Sequence, residues 1–322
     1  MKASPALVLF LLSPMIGELL SGSSPPSEFF TMPGFALMLF LYGGGAVVAR
    51  ELKTRWRKGI GSLLLLGAAY GVIEEGLMVV SFYNPSWPDL GIMGTYGRWL
   101  GINWVWAVAL TLYHSIVSIT VPAILVELAF PDRKEAPWLT TKWLALVALA
   151  FISDVTIGYV LFATFLKFWA PVSHVMLSIF LALVLVLAAH RLPADWLRRG
   201  ARPLKRPVFF ALLTFVGASL SGIIYWVLPH TGVPPLITVF LNLAAVMGTI
   251  QYLRRFSWRQ ASQTHRYSLV AGVLALFILF SLFQEMDRAR TDDPSGMSLV
   301  GLASIVGLLV LRRRLRSGKT SG

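Results

Sequence analysis

Residues 143–165 read WLALVALAFISDVTIGYVLFATF, and Asp154 is the one charged residue among them. A helix of about 20 mostly apolar residues is long enough to cross the ~30 Å hydrocarbon core of a bilayer. A run of this length with a single charge is typical of a membrane span. The stretch therefore predicts a transmembrane helix with one carboxylate near its middle.

Nine further apolar segments of similar length lie on either side of this stretch, separated by Pro, Gly and charged clusters. Together the ten segments are roughly 5–21, 34–49, 60–82, 102–129, 143–165, 171–189, 208–227, 235–252, 267–284 and 297–311. We predict an all-α, polytopic membrane protein, a bundle of about ten transmembrane helices. No connection is long enough for a soluble domain, so the whole chain, 1–322, is expected to form a single membrane-embedded unit.

The composition agrees with a membrane protein. Hydrophobic residues make up 56% of the chain and charged residues 13%, against roughly 25% charged in ordinary soluble domains. The net charge is +13, but the basic residues occur in short clusters between apolar runs, which argues against nucleic acid as a partner. The absence of cysteine excludes disulfides, cysteine zinc sites and cysteine nucleophiles.

The positions of the basic residues predict the orientation. With the N-terminus inside, the clusters around 2, 50–58, 133–142, 191–206, 254–266 and 312–319 all lie on one side and hold 24 of the 28 Lys and Arg residues. Positive charge accumulates on the cytoplasmic side of membrane proteins. We therefore expect both termini to be cytoplasmic and the protein to be multi-pass in the cytoplasmic membrane of a prokaryote. The first segment resembles a signal-peptide core, but this asymmetry requires that it is retained.

Six ionisable residues fall inside predicted spans, where they are costly and mark functional sites by default. They are Glu18, Glu74, Glu75, His114, Asp154 and His174. Adjacent helix positions point about 100° apart, so we expect one of Glu74 and Glu75 to face the site and the other to pair with a neighbouring helix. The structural alternative is a buried, hydrogen-bonding pair without chemistry.

Depth in the bilayer predicts that several of these groups meet. Glu75 lies past the midplane towards the outer face, His114 near the centre of its span, and His174 in the first turn after an outer loop. We expect the three to share a cavity in the outer half of the bilayer. Glu18 is expected at its rim, with Asp154 and Tyr113 as substrate-binding or supporting groups.

Each histidine also has a structural interpretation. His114 suits an interhelical hydrogen bond, and His174 suits an interfacial contact with lipid headgroups. Ser178 follows His174 by one helical turn, so both lie on one face of their helix.

Three short motifs follow one another along the chain. They are Glu74-Glu75, Leu110-x-x-x-His114 and His174-x-x-x-Ser178, with 39 residues from Glu75 to His114 and 60 from His114 to His174. Their order, spacing and helix placement, over about 60–180, resemble the CAAX-protease and bacteriocin-processing family of intramembrane glutamate proteases. That family has Glu-Glu-x-x-x-Arg, Phe-x-x-x-His and His-x-x-x-Asn. The chain departs from it at Val79 in place of Arg, Leu110 in place of Phe and Ser178 in place of Asn.

The resemblance implies an intramembrane peptidase acting on a membrane-tethered peptide. Glu74 or Glu75 would activate a water beside His114, and His174 with Ser178 would hold the carbonyl oxygen as it becomes negative. It implies metal-free chemistry without a cofactor. Glutamate and two histidines are nevertheless also a ligand set for zinc with an open position, so zinc stays open as an alternative.

Two other functions fit the same residues. A proton- or cation-coupled transporter would use the intramembrane carboxylates as a relay, with Gly43-Gly44-Gly45 as unwound backbone or as a close helix contact. A noncatalytic scaffold or binding protein would pair its polar groups separately. The lipid bilayer is a partner in all three cases, and the sequence leaves the oligomeric state open.

Overall fold

The computed structural model describes residues 4–197, 200–288 and 290–317. Its ten longer helices are α1 (Pro5–Leu20), α2 (Gly34–Arg55), α3 (Ile60–Met78), α4 (Trp104–Ala129), α5 (Thr141–Phe165), α6 (Val172–Arg191), α7 (Pro207–His230), α8 (Pro235–Leu253), α9 (Gln263–Met286) and α10 (Met297–Arg316). Lys2, Arg198, Arg199 and Lys319, which the charge count includes, lie outside the described residues.

Eight of the described helices, α2 to α9, are long and apolar enough to cross a membrane. Helix α1 is apolar but shorter, and α10 ends in a run of arginines. The helices correspond in order and approximate position to the ten predicted segments. The prediction of an all-α, polytopic membrane protein is therefore confirmed.

The helices differ in how much they are enclosed by protein. More than half of α2, α3 and α4 is buried, at 56%, 67% and 61%, whereas 17% of α5 and of α6 is buried. Helix α3 packs against both α4 and α6, and α1 packs against α2. The first four helices thus form the interior, and the later ones present long apolar faces outward, as expected for lipid contact.

Helix α2 runs six residues past its predicted end. Arg50 and Glu51 are fully buried, and the Arg50 guanidinium lies over the Trp138 ring at 3.5 Å from its centroid. Lys53 Nζ contacts Glu127 Oε1 at 2.5 Å. Because each charge has a partner, the helix does not have to end where the charges begin.

Helix α3 ends four residues before its predicted limit. The Val79 amide donates to the Glu74 carbonyl at 3.0 Å, a wide turn of the π-helical type. Val80 follows with φ of 50°, a left-handed conformation that is unusual for a β-branched residue. The chain therefore leaves the helix sharply, and this turn carries Ser81 back towards Glu75.

The connecting segments form two separate groups. At the basic end of the bundle, Arg50 contacts the loop before α5, and Lys58 donates to the Leu192 carbonyl at 3.0 Å. At the opposite end, strands β1 (Arg98–Trp99) and β2 (Ile102–Asn103) form a small antiparallel hairpin. The carboxyl-terminal part of α3 and the amino-terminal part of α4 lie at this opposite end, and they carry the site.

Candidate active site

The imidazole of His114 lies between two adjacent carboxylates. Its Nε2 is 3.0 Å from Glu75 Oε1, and its Nδ1 is 3.1 Å from Glu74 Oε2. The hydrogen bond of Nδ1 is with the Ser118 hydroxyl, at 3.0 Å. The residues are 2%, 7% and 4% exposed for His114, Glu75 and Glu74. These three residues, which we call the Glu–His–Glu cluster, form a titratable group enclosed by the bundle.

Both carboxylates meet the same ring, whereas we expected one of them to point elsewhere. Two features of the structure explain the difference. The two nitrogens of an imidazole point to different sides of the ring, so it can bridge two groups. The helices also widen here, since Glu74–Met78 and His114–Thr120 are π-helical, a distortion that often occurs at functional sites.

The other two interior helices widen at the same level. Residues Met15–Leu20 of α1 and Leu39–Gly43 of α2 are also π-helical. These segments carry Glu18 and Tyr42, and the Tyr42 hydroxyl donates a short hydrogen bond to Glu18. Ser24 donates to the second oxygen of Glu18 at 2.9 Å. Glu18 is half-buried and lies at the end of α1. It is therefore located between the enclosed interior and the end of the bundle opposite the basic loops.

Three tyrosine rings surround the His114 imidazole. Their ring centroids lie 6.0 Å (Tyr42), 5.8 Å (Tyr70) and 5.1 Å (Tyr113) from that of the imidazole. The Tyr113 hydroxyl donates to the Gly17 carbonyl at 2.6 Å. The three rings therefore enclose the imidazole in an aromatic pocket.

Glu75 is positioned from its other side by a chain of two hydrogen bonds. Ser81 donates a short hydrogen bond to Glu75, and Trp106 Nε1 donates to Ser81 Oγ at 2.9 Å. Sequence reasoning did not identify Ser81, Trp106, Tyr42 or Tyr70. The only signal was that all four are polar or amphipathic residues near a helix end or inside a span.

His174 and Ser178 occupy different surroundings from the Glu–His–Glu cluster. His174 Nε2 is 3.0 Å from the Leu100 carbonyl oxygen, in the hairpin turn. Ser178 is buried, lies 2.5 Å from the Tyr83 hydroxyl, and packs against Gly76, where a Cβ would come within 2.4 Å of its Oγ. Ser178 is thus adjacent to the helix that carries Glu75. The hydrogen bonds of the His174 ring, among the described residues, do not involve the cluster.

Asp154 is buried on α5, and its Oδ2 has no hydrogen-bond partner within the described part of the chain. Phe151, one turn before it, packs against Gly44 of α2, and Gly158, one turn after it, packs against Met78 of α3. Asp154 therefore lies on the face of α5 that meets the interior helices, beside the site.

A divalent metal fits part of this arrangement. One ligand atom from each of Glu74, Glu75 and His114 lies within 4.8 Å of the others. The two carboxylates, however, approach different nitrogens of the ring. A metal on Nε2 would have Glu75 as its carboxylate ligand, while the Ser118 hydroxyl, with Glu74 beside it, would orient the ring through Nδ1.

Acidic charge exceeds basic charge at the site. In the ion pairs of the described residues, no Lys or Arg contacts Glu18, Glu74 or Glu75. Such a cluster requires protons or an external cation to balance it. Chemically, it offers a carboxylate beside an oriented imidazole, the combination used for general acid–base catalysis.

One family model matches the chain, over residues 7–162. No curated protein and no solved structure matches it. The matched region, residues 7–162, includes Glu18, the Glu–His–Glu cluster and Asp154, and ends before His174 and Ser178. The chain is an integral, multi-pass membrane protein that is similar over these residues to a family described as an uncharacterized membrane protein family.

Proposed function

We propose that the protein is a membrane-embedded hydrolase of the peptidase class, and that Glu75 activates a water molecule with His114 beside it. The observation that supports this proposal is the 3.0 Å contact between Glu75 Oε1 and His114 Nε2 in a buried, carboxylate-rich site. A general base must lie within hydrogen-bond reach of its partner, at about 2.6–3.2 Å.

In the proposed reaction, Glu75 takes a proton from water as the water oxygen bonds to the peptide carbonyl carbon. The C–N bond then breaks, and the proton passes to the departing amine. Ser118 orients His114 through Nδ1, and Ser81 orients Glu75. Hydroxyl donors for the carbonyl oxygen are available in Ser178 and Tyr83, 2.5 Å apart and next to Gly76. Ser178 and Tyr83 would act together with His174, or in its place, as donors to the carbonyl oxygen.

The substrate we propose is a membrane-tethered peptide that enters from the end opposite the basic loops. Glu18 is half-buried there and accepts only hydroxyl donors, Tyr42 and Ser24, among the described residues. A carboxylate in this position would bind the amine or a basic side chain of a peptide. The charge asymmetry of the loops supports placing this entrance on the outer side of a prokaryotic cytoplasmic membrane, with both termini cytoplasmic.

The test uses the full-length protein in liposomes with a library of membrane-tethered peptides. Glu75→Gln should lower cleavage by 10²-fold or more, the usual contribution of a general base. Asp132→Asn, the corresponding change at an exposed loop carboxylate, should leave cleavage unchanged. Equal cleavage by wild type and Glu75→Gln, or no cleavage of any peptide by wild type, would contradict the proposal.

A proton or cation pathway is the second candidate, and the contact from Tyr42 to Glu18 favours it, because it extends the acidic cluster towards one end of the bundle. A pathway also needs groups leading to the other end. The buried acids there, Glu51 and Glu127, are already paired with Arg50 and Lys53. We therefore rank transport second; proton flux in liposomes that Glu18→Gln abolishes would reverse the order.

A further inference from the structure

A cavity of about 230 Å³ lies at the basic end of the bundle, away from the end that carries the Glu–His–Glu cluster. Its walls come from the end of α4, the loop before α5, the loop after α8 and the start of α9. Lys134, Arg259 and Arg266 line it, together with Glu127, Glu135 and Trp258. We propose that this cavity binds a phosphate group, carried by an anionic ligand.

The charges of the cavity are not balanced by the protein. Among the ion pairs of the described residues, none involves Lys134, Arg259 or Arg266. Glu127 is already neutralised by Lys53, at 2.5 Å, with Arg50 at 3.5 Å. Glu135 also lines the cavity and is exposed, so three cations face one carboxylate that is not neutralised. This excess of positive charge on a concave surface attracts an anion.

The cavity is held in shape before any ligand binds. Arg50 is fully buried and donates to the Lys134 carbonyl at 2.7 Å, which fixes the loop on one side. On the other side Trp258 donates to the Leu253 carbonyl at 2.7 Å and packs against Phe210. Cations placed on a prearranged surface lose less entropy on binding than those on mobile loops.

A helix terminus adds to the attraction. Gln263 is the first residue of α9, a 24-residue helix, and it lines the cavity. Arg266 follows in the first turn. The amino-terminal end of a helix carries partial positive charge and favours phosphate, and guanidinium groups bind phosphate through paired hydrogen bonds.

An apolar crevice adjoins the cavity and shares Trp258, Ala261 and Arg266 with it. Ile60, Leu197 and Leu269 line this crevice. The crevice has a volume of about 30 Å³, so it accepts only a small apolar group next to the phosphate, and longer chains would extend into the membrane. The same phosphate chemistry occurs on phospholipid headgroups and on soluble phosphates, and the experiment separates these two sources.

The experiment measures thermal unfolding of the full-length protein with added phosphatidylglycerol, phosphatidylcholine or inorganic phosphate. The variant is Arg259→Gln with Arg266→Gln, and the control is Arg312→Gln with Arg313→Gln, two exposed arginines on α10 outside the cavity. We expect phosphatidylglycerol to stabilise wild type and control equally, and its affinity for the variant to fall about tenfold or more.

The results distinguish a lipid headgroup from a soluble phosphate, and a specific site from a diffuse charged surface. Stabilisation by phosphatidylglycerol beyond that of saturating inorganic phosphate identifies a lipid headgroup; equal stabilisation identifies a soluble phosphate. If neither ligand stabilises wild type, or if the control loses as much affinity as the variant, the basic loops act as a diffuse charged surface and the proposal is wrong. Lys134→Gln repeats the test if the double variant fails to fold. Peptide cleavage is not used as a readout, so the outcome is independent of the proposed hydrolase.

Discussion

His114 Nε2 lies 3.0 Å from Glu75 Oε1, although the two residues are 39 positions apart and on different helices. The opposite nitrogen of the same ring faces Glu74 at 3.1 Å. A neutral imidazole has one N–H, so it can donate to one of these carboxylates and not to both. Nδ1 also lies 3.0 Å from the Ser118 hydroxyl, so a ring that donates from Nε2 to Glu75 can accept from Ser118 through Nδ1. Glu74 stays close to the ring, but its Oε2 has no hydrogen-bond partner in the described part of the chain.

Replacement of His114 tests the Glu–His–Glu cluster through stability. His114→Ala would leave two adjacent carboxylates without their partner in the interior of the bundle. Breaking a buried ion pair from one side costs about 3–5 kcal/mol. We expect a decrease of this size in the free energy of unfolding, measured in detergent by denaturant titration. His190→Ala, at an exposed histidine, is the control, and equal losses in the two variants would contradict a stabilising role for the Glu–His–Glu cluster.

The hydrogen-bond chain from Trp106 through Ser81 to Glu75 predicts an effect on rate. Trp106→Phe removes the donor to Ser81 Oγ and keeps the aromatic ring. A hydrogen bond between neutral groups contributes ~0.5–1.5 kcal/mol, so kcat for peptide cleavage should fall about 2- to 10-fold while KM changes little. Trp104→Phe, at a partly exposed tryptophan bonded to the Trp99 carbonyl, should leave both constants unchanged. A change in KM alone would point to substrate binding instead.

The contacts of Arg50 predict how substitutions at this position change the stability of the protein. Its guanidinium is fully buried, pairs with Glu51 at 2.9 Å and donates to the carbonyls of Lys134 and Ala136. Arg50→Lys should lower stability nearly as much as Arg50→Met, because an ammonium cannot reproduce the planar set of donors. Thermal unfolding of both variants, with exposed Arg312→Lys as control, checks this. Full retention of stability in Arg50→Lys would show that charge alone is required.

A glycine on α2 tests the packing of the interior helices. A Cβ at Gly43 would lie 2.2 Å from the Phe10 carbonyl oxygen of α1, which is backbone and cannot turn away. Gly43→Ala should therefore destabilise the protein by about 1–3 kcal/mol, as overpacking does. Gly248→Ala on α8 places its methyl group in open space and should be neutral or stabilising by up to ~1 kcal/mol. Similar unfolding midpoints for the two variants would show that α1 and α2 separate more easily than the structure indicates.

The loop between α9 and α10 has a pH-dependent contact outside the spans. Arg290 donates to Asp292, with Nε 2.6 Å from Oδ1, and also to the Gly22 carbonyl. The hydrogen bond from Arg290 holds the pKa of Asp292 below its usual value of 3.8. A lowered carboxyl pKa gives a stabilisation that is complete above pH 3.8 and is lost as the pH falls through the lower, folded-state value.

Hydrogen exchange of residues 290–296 measures this contact. At neutral pH the loop should exchange more slowly in wild type than in Asp292→Asn, by a modest factor because the pair is partly exposed. The difference should disappear at pH values below the folded-state pKa. Asp132→Asn, at an exposed aspartate, should match wild type throughout, and a difference for Asp292→Asn that persists in acid would contradict the assignment.

The sequence by itself determined the membrane class and the approximate helices. Long apolar runs have one stable solution in a bilayer, because a helix satisfies its own backbone hydrogen bonds. It also indicated Glu74, Glu75 and His114, since ionisable groups inside spans are costly. The ends of helices were less accurate. Helix α2 continues through Arg50 to Arg55 because its charges are paired, and the local sequence does not indicate such pairing.

Only the tertiary structure decided which polar groups meet. The widened turns of α1 to α4 place Tyr42 beside Glu18 and both carboxylates beside His114, whereas His174 bonds to the hairpin turn. These relations depend on how neighbouring helices rotate and distort to fill space, and side-chain packing between distant segments sets that rotation. The hydrophobic pattern of a sequence indicates which residues avoid water, but it does not indicate which of them are in contact.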